Sequence, residues 1–292
     1  MHHDSYWSTL EAELARYPAA PELELSPLRR TDYATVYGLK ITSIGPYRLF
    51  GYLSVPHGAG PFPGLYLTPR YGSVNNVPHP DDRRRYVVLQ LMHRGQRLAD
   101  QPFAAPYPGL LTMDIADPDR YIYRAIVADC LRGAEFLLAH PAVDKARVGI
   151  RGDDLALLVA ARRPGFAAAE IAGLQFYRLM EARQRTEGYP IEEINDYLRA
   201  YPEQEGAVAR TLAIFDPAAH AADVVATTLL SIGDAGALGG PEWLAPLGDS
   251  LGGPVERYTL THEGATDHDW LDAWMAGKLG AEPRPRLWRI EA

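Results

Sequence analysis

The chain has 292 residues, enough for one large α/β domain or two small ones. Nearly half of them (47%) are apolar, as in a protein with a full core, and the net charge of −8 argues against nucleic acid as a partner. The single cysteine, Cys130, allows no intrachain disulfide and no cysteine-based zinc cluster. The opening run Met1-His-His-Asp-Ser-Tyr-Trp7 has no basic-then-apolar leader pattern, and the longest apolar run, Leu155 to Ala161, is far too short to span a bilayer. The expectation is a cytoplasmic protein with no membrane partner.

In chain order, residues 4–28 read as a helix, with Trp7, Leu10 and Leu14 at helical spacing and an end near Pro18 and Pro21. Residues 1–30 are therefore expected to be a helical extension of one domain covering 1–292. Ala34 to Ile44 and Tyr47 to Val55, broken at Gly45-Pro46, predict an antiparallel strand pair. A Gly/Pro loop leads to a short apolar strand, Gly64 to Thr68, followed by Pro69-Arg-Tyr-Gly-Ser73. Tyr86 to Leu91 is the next strand, with His93-Arg-Gly-Gln96 just beyond it. The stretch 97–120 is a long loop, a length usually tied to function or to an interface. Tyr121 to His140 is an amphipathic helix. Strands are expected through Val148, over Ile171 to Phe176, over Thr227 to Ile232 and over Val255 to Leu260. Helices are expected over Pro190 to Tyr201, Pro241 to Leu247 and Asp269 to Leu279. Strands alternating with helices after an antiparallel start predict one mostly parallel sheet with helices on both faces.

Arg147-Val-Gly-Ile-Arg-Gly-Asp-Asp-Leu-Ala156 reads as a buried strand, a tight turn at Gly152 and a helix opening at Leu155. That is the layout of a nucleophile elbow, usually Gly-x-Ser-x-Gly, with Asp154 in the nucleophile slot. Chemistry in such sheets sits at the carboxyl ends of the strands. The 69–73 loop, Asp154, Asp234 and His262 all fall there. His262 is the natural general base, and Asp234 fits the acid that orients it. If two carboxylates flank His262, they favour its charged form and weaken it as a base. Gly248-Asp-Ser-Leu-Gly252 spells a Gly-x-Ser-x-Gly but follows a helix and precedes a strand, so Ser250 reads as part of a helix-ending turn. Ser73 could approach the site, though nothing local activates it. The block His79-Pro-Asp-Asp-Arg-Arg-Arg85 reads as a solvated face, and Arg151 with Asp153 as a local ion pair. No phosphate loop or metal-ligand cluster stands out, so no cofactor is expected.

With these points in order, the chain resembles the acetyl xylan esterase / cephalosporin C deacetylase family, carbohydrate esterase family 7, of the α/β-hydrolase fold. Arg94-Gly95-Gln96 matches the family's Arg-Gly-Gln, and Asp117 to Arg124 matches the run leading to the elbow. Pro141 to Arg147, Ile214-Phe-Asp216 and His262-Glu263 match further motifs. The resemblance covers roughly residues 30–280. It implies an α/β-hydrolase fold, a catalytic set at Asp154, Asp234 and His262, an oxyanion hole from the backbone of Tyr71 and Leu155, and a homo-oligomer. Arg94 and Gln96 are expected to fasten loops near the site, with Asp129 or Asp153 as partner of the arginine. Two departures stand out. The family's Gly-Gly-Ser-Gln-Gly is Gly152-Asp-Asp-Leu-Ala156 here, and its His-Gly-Tyr is Pro69-Arg70-Tyr71.

Three functions follow. The chain is a hydrolase of acetyl xylan esterase type with weak or absent activity on acetyl esters. Alternatively, it is a non-catalytic relative binding a small acetylated ester or sugar-like ligand. Alternatively, it uses Asp154 to attack an sp³ carbon, where a stable alkyl ester can form; attack on an acetyl ester would give a mixed anhydride.

Overall fold

The computed structural model describes residues 3–72 and 76–285. Ser73 and His2 lie outside the described residues. Nine strands form one sheet: β1 (Glu22–Leu25), β2 (Ala34–Thr42), β3 (Arg48–Pro56), β4 (Phe62–Leu67), β5 (Val87–Met92), β6 (Val143–Gly152), β7 (Ala168–Ile171), β8 (Thr227–Ile232) and β9 (Val255–Thr259). The helices of four residues or more are α1 (His3–Ala15), α2 (Pro80–Arg85), α3 (Ile122–Ala139), α4 (Asp154–Arg162), α5 (Leu179–Ala182), α6 (Glu192–Ala200), α7 (Glu205–Phe215), α8 (Pro241–Ser250) and α9 (Gly264–Leu279). The spatial order is β1-β2-β3-β5-β4-β6-β7-β8-β9. Pairing is antiparallel from β1 through β3 to β5 and parallel from β5 to β9.

The inner parallel strands are largely apolar because both faces are covered. Alternate residues serve different sides. Tyr66, Leu89, Ile150 and Leu230 join the larger core with α1, α3 and α4. Leu65, Val88, Ala168 and Leu229 pack under Trp274, Met275 and Leu279 of α9. On the first side α1 is tied down by charge as well as by Trp7. Glu11 takes Arg162 and Arg163 at the end of α4, and Glu13 takes Arg124 of α3.

Several expectations need correcting. The N-terminal helix stops at Ala15 rather than running to 28. Glu22-Leu-Glu-Leu25 alternates polar and apolar, and pairs with β2 at the sheet edge. The strand expected over Ile171 to Phe176 ends at Ile171, because Gly173 takes a left-handed φ of 70° and turns the chain. The 79–85 block is solvated on one side only, at His79, Pro80 and Arg84. Asp82 and Arg83 are buried, and Arg85 donates to Asp272 of α9 at 3.0 Å. Arg151 pairs with Glu170 and Asp82, not with Asp153. Helix α7 has no counterpart in the sequence reading. Ser250 does lie in the last turn of α8, its Oγ donating to Leu247 O at 2.9 Å.

Behind the site, Arg94 and Asp129 form a buried fork. Arg94 Nε and Nη2 donate to Asp129 at 2.9 and 2.7 Å, and the Arg94 backbone N–H adds a third bond at 2.9 Å. Asp129 is fully buried. Removing one partner strands a charge in the interior. Asp129→Ala is expected to cost about 3–5 kcal/mol in urea unfolding, and a loss under 1 kcal/mol would mean that the pair is not buried as described.

Candidate active site

The elbow is built where β6 meets α4. A side chain at Gly152 would put its Cβ 1.9 Å from Thr68 Oγ1, so the close pass of β6 and the end of β4 requires glycine. Asp153 is the N-cap of α4, and its Oδ1 accepts from Leu155 N at 3.1 Å. Asp154 is the first helical residue, 2% exposed and without a left-handed φ. Its two oxygens accept from Gln175 N at 2.7 Å and Phe176 N at 2.9 Å. The carboxyl group in the nucleophile slot therefore staples the start of α4 to the loop after β7.

Two adjacent carboxyl groups share this corner. Burial pushes Asp154 well above the usual carboxylate range, and the neighbouring charge of Asp153 pushes the same way. The two amide donors pull against this but do not outweigh it. Asp153 is raised too, first by burial, with the Leu155 amide and Arg70 opposing.

The space around them is small. A cavity of about 20 Å³, lined by Arg70, Tyr71, His93, Tyr123, Asp153 and Asp154 among others, has room for about one water. Its cover is fastened. Tyr71 Oη donates to Glu193 of α6, whose Oε2 accepts from Leu111 N at 2.8 Å. Burial pushes the His93 imidazole down to about 4, so the ring is neutral at pH 7. Its Nδ1 lies 2.6 Å from Arg94 O, and since a carbonyl can only accept, Nδ1 carries the proton.

Arg94-Gly95-Gln96 braces this cover from below. Gln96 Nε2 donates to Arg70 O at 2.8 Å and Gly72 O at 2.6 Å, while its Oε1 accepts from His93 N at 3.1 Å. Gly95 sits at φ 84°, with Phe103 and Ala105 where a side chain would go.

Asp234 and His262 meet at the far end of the sheet. His262 Nε2 lies 3.0 Å from Asp234 Oδ1, with the two side chains 59% and 76% exposed. Asp267 accepts the His262 N–H at 3.0 Å and holds that residue at a left-handed φ of 62°. Among the described residues no hydrogen bond or ion pair joins Asp154 to either of them. In a serine triad Nε2 faces the nucleophile and Nδ1 the acid; here Nε2 faces the acid. No group of three or more His, Cys, Asp or Glu is arranged to hold a metal among the described residues. Nor is any described helix long and apolar enough to cross a membrane.

The family model for acetyl xylan esterase (AXE1) matches residues 2–242. The chain belongs to the acetyl xylan esterase family. The acetyl xylan esterase from Paenibacillus sp. R4 superposes with a TM-score of 0.81 at 24% identity, over 96% of this chain and 94% of that one. Acetyl xylan esterase 1 from Thermoanaerobacterium sp. JW/SL YS485 gives 0.79 at 19% identity, over 94% and 93%. These likenesses show the α/β-hydrolase fold. The acetyl esterase Axe7A of Xylanibacter ruminicola is 25% identical over 182 residues, 56% of this chain. The chain spans 41% of that relative's length.

Sequence reasoning passed over Asp153 as a cap, His93, Glu193 and the Gln175–Phe176 amides of this acetyl xylan esterase family member. Aspartate is a good helix cap, and of the two adjacent aspartates it is the first that caps α4. The amide donors left no signal, because any residue type supplies a backbone N–H.

The raised ionisation of Asp154 has a consequence for stability. The folded state favours its protonated form, so this stabilisation is full below the ordinary carboxylate pKa and fades as pH rises through the raised value. Asp154→Asn is expected to cost about 1–2 kcal/mol at pH 5, where one amide loses its acceptor. It should also flatten the fall of Tm between acid and neutral pH. An unchanged slope in scanning calorimetry would place the titrating group elsewhere.

Proposed function

We propose that ester hydrolysis at the elbow of this family member is weak or absent, and that the protein retains a small acetylated or sugar-like ligand without turning it over. The observation that carries this is the Asp153 carboxyl group on the Leu155 N–H. That amide is the oxyanion donor of a hydrolase elbow, and here a side-chain carboxyl oxygen already occupies it. The cavity beside Asp154, of about 20 Å³, is too small for an acetylated substrate and supports the loss of turnover. So does the pairing of His262 Nε2 with Asp234.

The carboxylate-nucleophile alternative asks an Asp154 oxygen to approach a substrate carbon. Both oxygens are held by backbone amides at 2.7 and 2.9 Å, which argues against it. Action in the cytoplasm and as a homo-oligomer belongs to the same proposal.

Hydrolysis of a chromogenic acetyl ester tests it. The protein is expected to give no rate above that of His262→Ala. Asp154→Ser alone stays silent, since Asp153 still occupies the amide. Asp153→Gly with Asp154→Ser frees that donor, worth about 10²–10³ in rate, and is expected to gain measurable turnover. Turnover by the unmodified protein that His262→Ala abolishes would overturn the proposal.

A further inference from the structure

A second cavity, of about 500 Å³, opens on the other face of the sheet, beneath α2 and α9. It shares only Arg70 with the elbow cavity among the described residues. Its volume falls in the range of about 300–1,000 Å³ that small-molecule sites occupy. Its floor is made by the ends of the parallel strands, which place Gln90, Arg151 and Glu170 in one row, with Ser231 two residues further along β8 on the same face.

These polar groups are built in rather than scattered on a surface. Glu170 and Asp82 are buried, at 5% and 7% exposure. Arg151 is fixed between them, its Nε 2.7 Å from Glu170 Oε2 and its Nη1 3.6 Å from Asp82 Oδ2. Ser231 is 6% exposed, lines the cavity, and its Oγ has no hydrogen-bond partner among the described residues. A buried hydroxyl left unpaired costs free energy, which a ligand would recover once the Ser231 side chain turns towards the cavity. His268 is on the wall as well. Arg284 Nη1 donates to its Nδ1 at 2.9 Å, which leaves the proton on Nε2. Burial, then the charge of Arg284, lowers its pKa, so it is a neutral donor at pH 7.

The charges of this wall select the ligand. Arg70 and Arg151 are matched by Asp82 and Glu170, with His79 at the exposed rim. A ligand of either sign would bring a charge that the wall does not answer. The wall offers donors and acceptors side by side, and a hydroxyl group is both. Leu67, Leu260 and Leu271 supply apolar surface between them. We propose that this cavity is a binding site for an uncharged polyhydroxylated molecule, one or two sugar rings in size, held apart from the elbow. The proposal rests on the reading above only in that the ligand is retained and not hydrolysed.

The test is saturation-transfer NMR and calorimetry on the full chain. Methyl β-D-glucopyranoside serves as the neutral probe, with acetate and glycine as its charged counterparts. The glucoside is expected to bind saturably, and acetate and glycine are not. Ser231→Ala and Gln90→Leu should each weaken it about two- to tenfold, one hydrogen bond's worth, with Tm measured on both to confirm folding. The proposal is overturned by an absence of saturable binding, by preference for acetate or glycine, or by glucoside binding that neither folded variant alters. Ester turnover by the same preparations is read separately. It would remove the non-catalytic reading while leaving the binding result to stand or fall by itself.

Discussion

Two neighbouring carboxyl groups at the start of a buried helix govern the architecture around the elbow. Neither can be left without donors, and the chain supplies three amides, from Leu155, Gln175 and Phe176. One of those amides opens α4, and the other two belong to the loop beyond β7. The helix dipole favours negative charge at this end, yet burial holds both groups towards their protonated forms, and the charge of Asp153 adds to this at Asp154. The conformation of the elbow is set by finding donors for two acids rather than by presenting one side chain to solvent.

The layer beneath is held by a division of labour between ionic and neutral polar groups. Arg94 spends its guanidinium on Asp129 inside the protein, and Gln96 spends its amide on the carbonyls of Arg70 and Gly72. The first fixes where the segment after β5 sits, and the second fixes how the 70–72 turn lies on it. Tyr71 then reaches Glu193, so a loop from the centre of the sheet is tied to α6, far along the chain. On the opposite face the ionic groups around Arg151 do not fill the space they line, and there the sheet remains open.

Much of this could be read from the residues. The Gly152 turn, the helix over 122–139 and the strand over 227–232 follow from periodicity and turn chemistry, and the mostly parallel sheet follows from their order, while the α/β-hydrolase fold is implied by the family resemblance. The pairing of Arg94 with Asp129 was one of two partners that the charges allowed. What escaped the sequence was set by distant contacts. Glu22 to Leu25 is a strand only because β2 offers an edge, and 172–176 leaves the sheet because Gly173 turns and Asp154 needs its amides. The 79–85 run looks like a solvent face by composition. Its Asp82 and Arg83 are buried, and Arg85 is half-buried, because Asp272 and Glu170 stand opposite its network, nearly 190 and 90 positions further on. The meeting of Asp234 with His262 followed from both lying past strand ends. The isolation of Asp154 from them depends on side-chain directions that no spacing encodes.

The clasp between α1 and α4 bears on how the chain is made. Arg163 lies 152 positions after Glu11, and the aromatic partner of Trp7, Phe215, comes later still. Helix α1 is made well before its partners, first Arg124 of α3 and then Arg162, Arg163 and Phe215. Its docking is thus a late, long-range closure. Until then the N-terminal segment exposes Tyr6, Trp7 and Leu10 to solvent, and the nascent chain needs protection there while the end of the elbow helix is still being added.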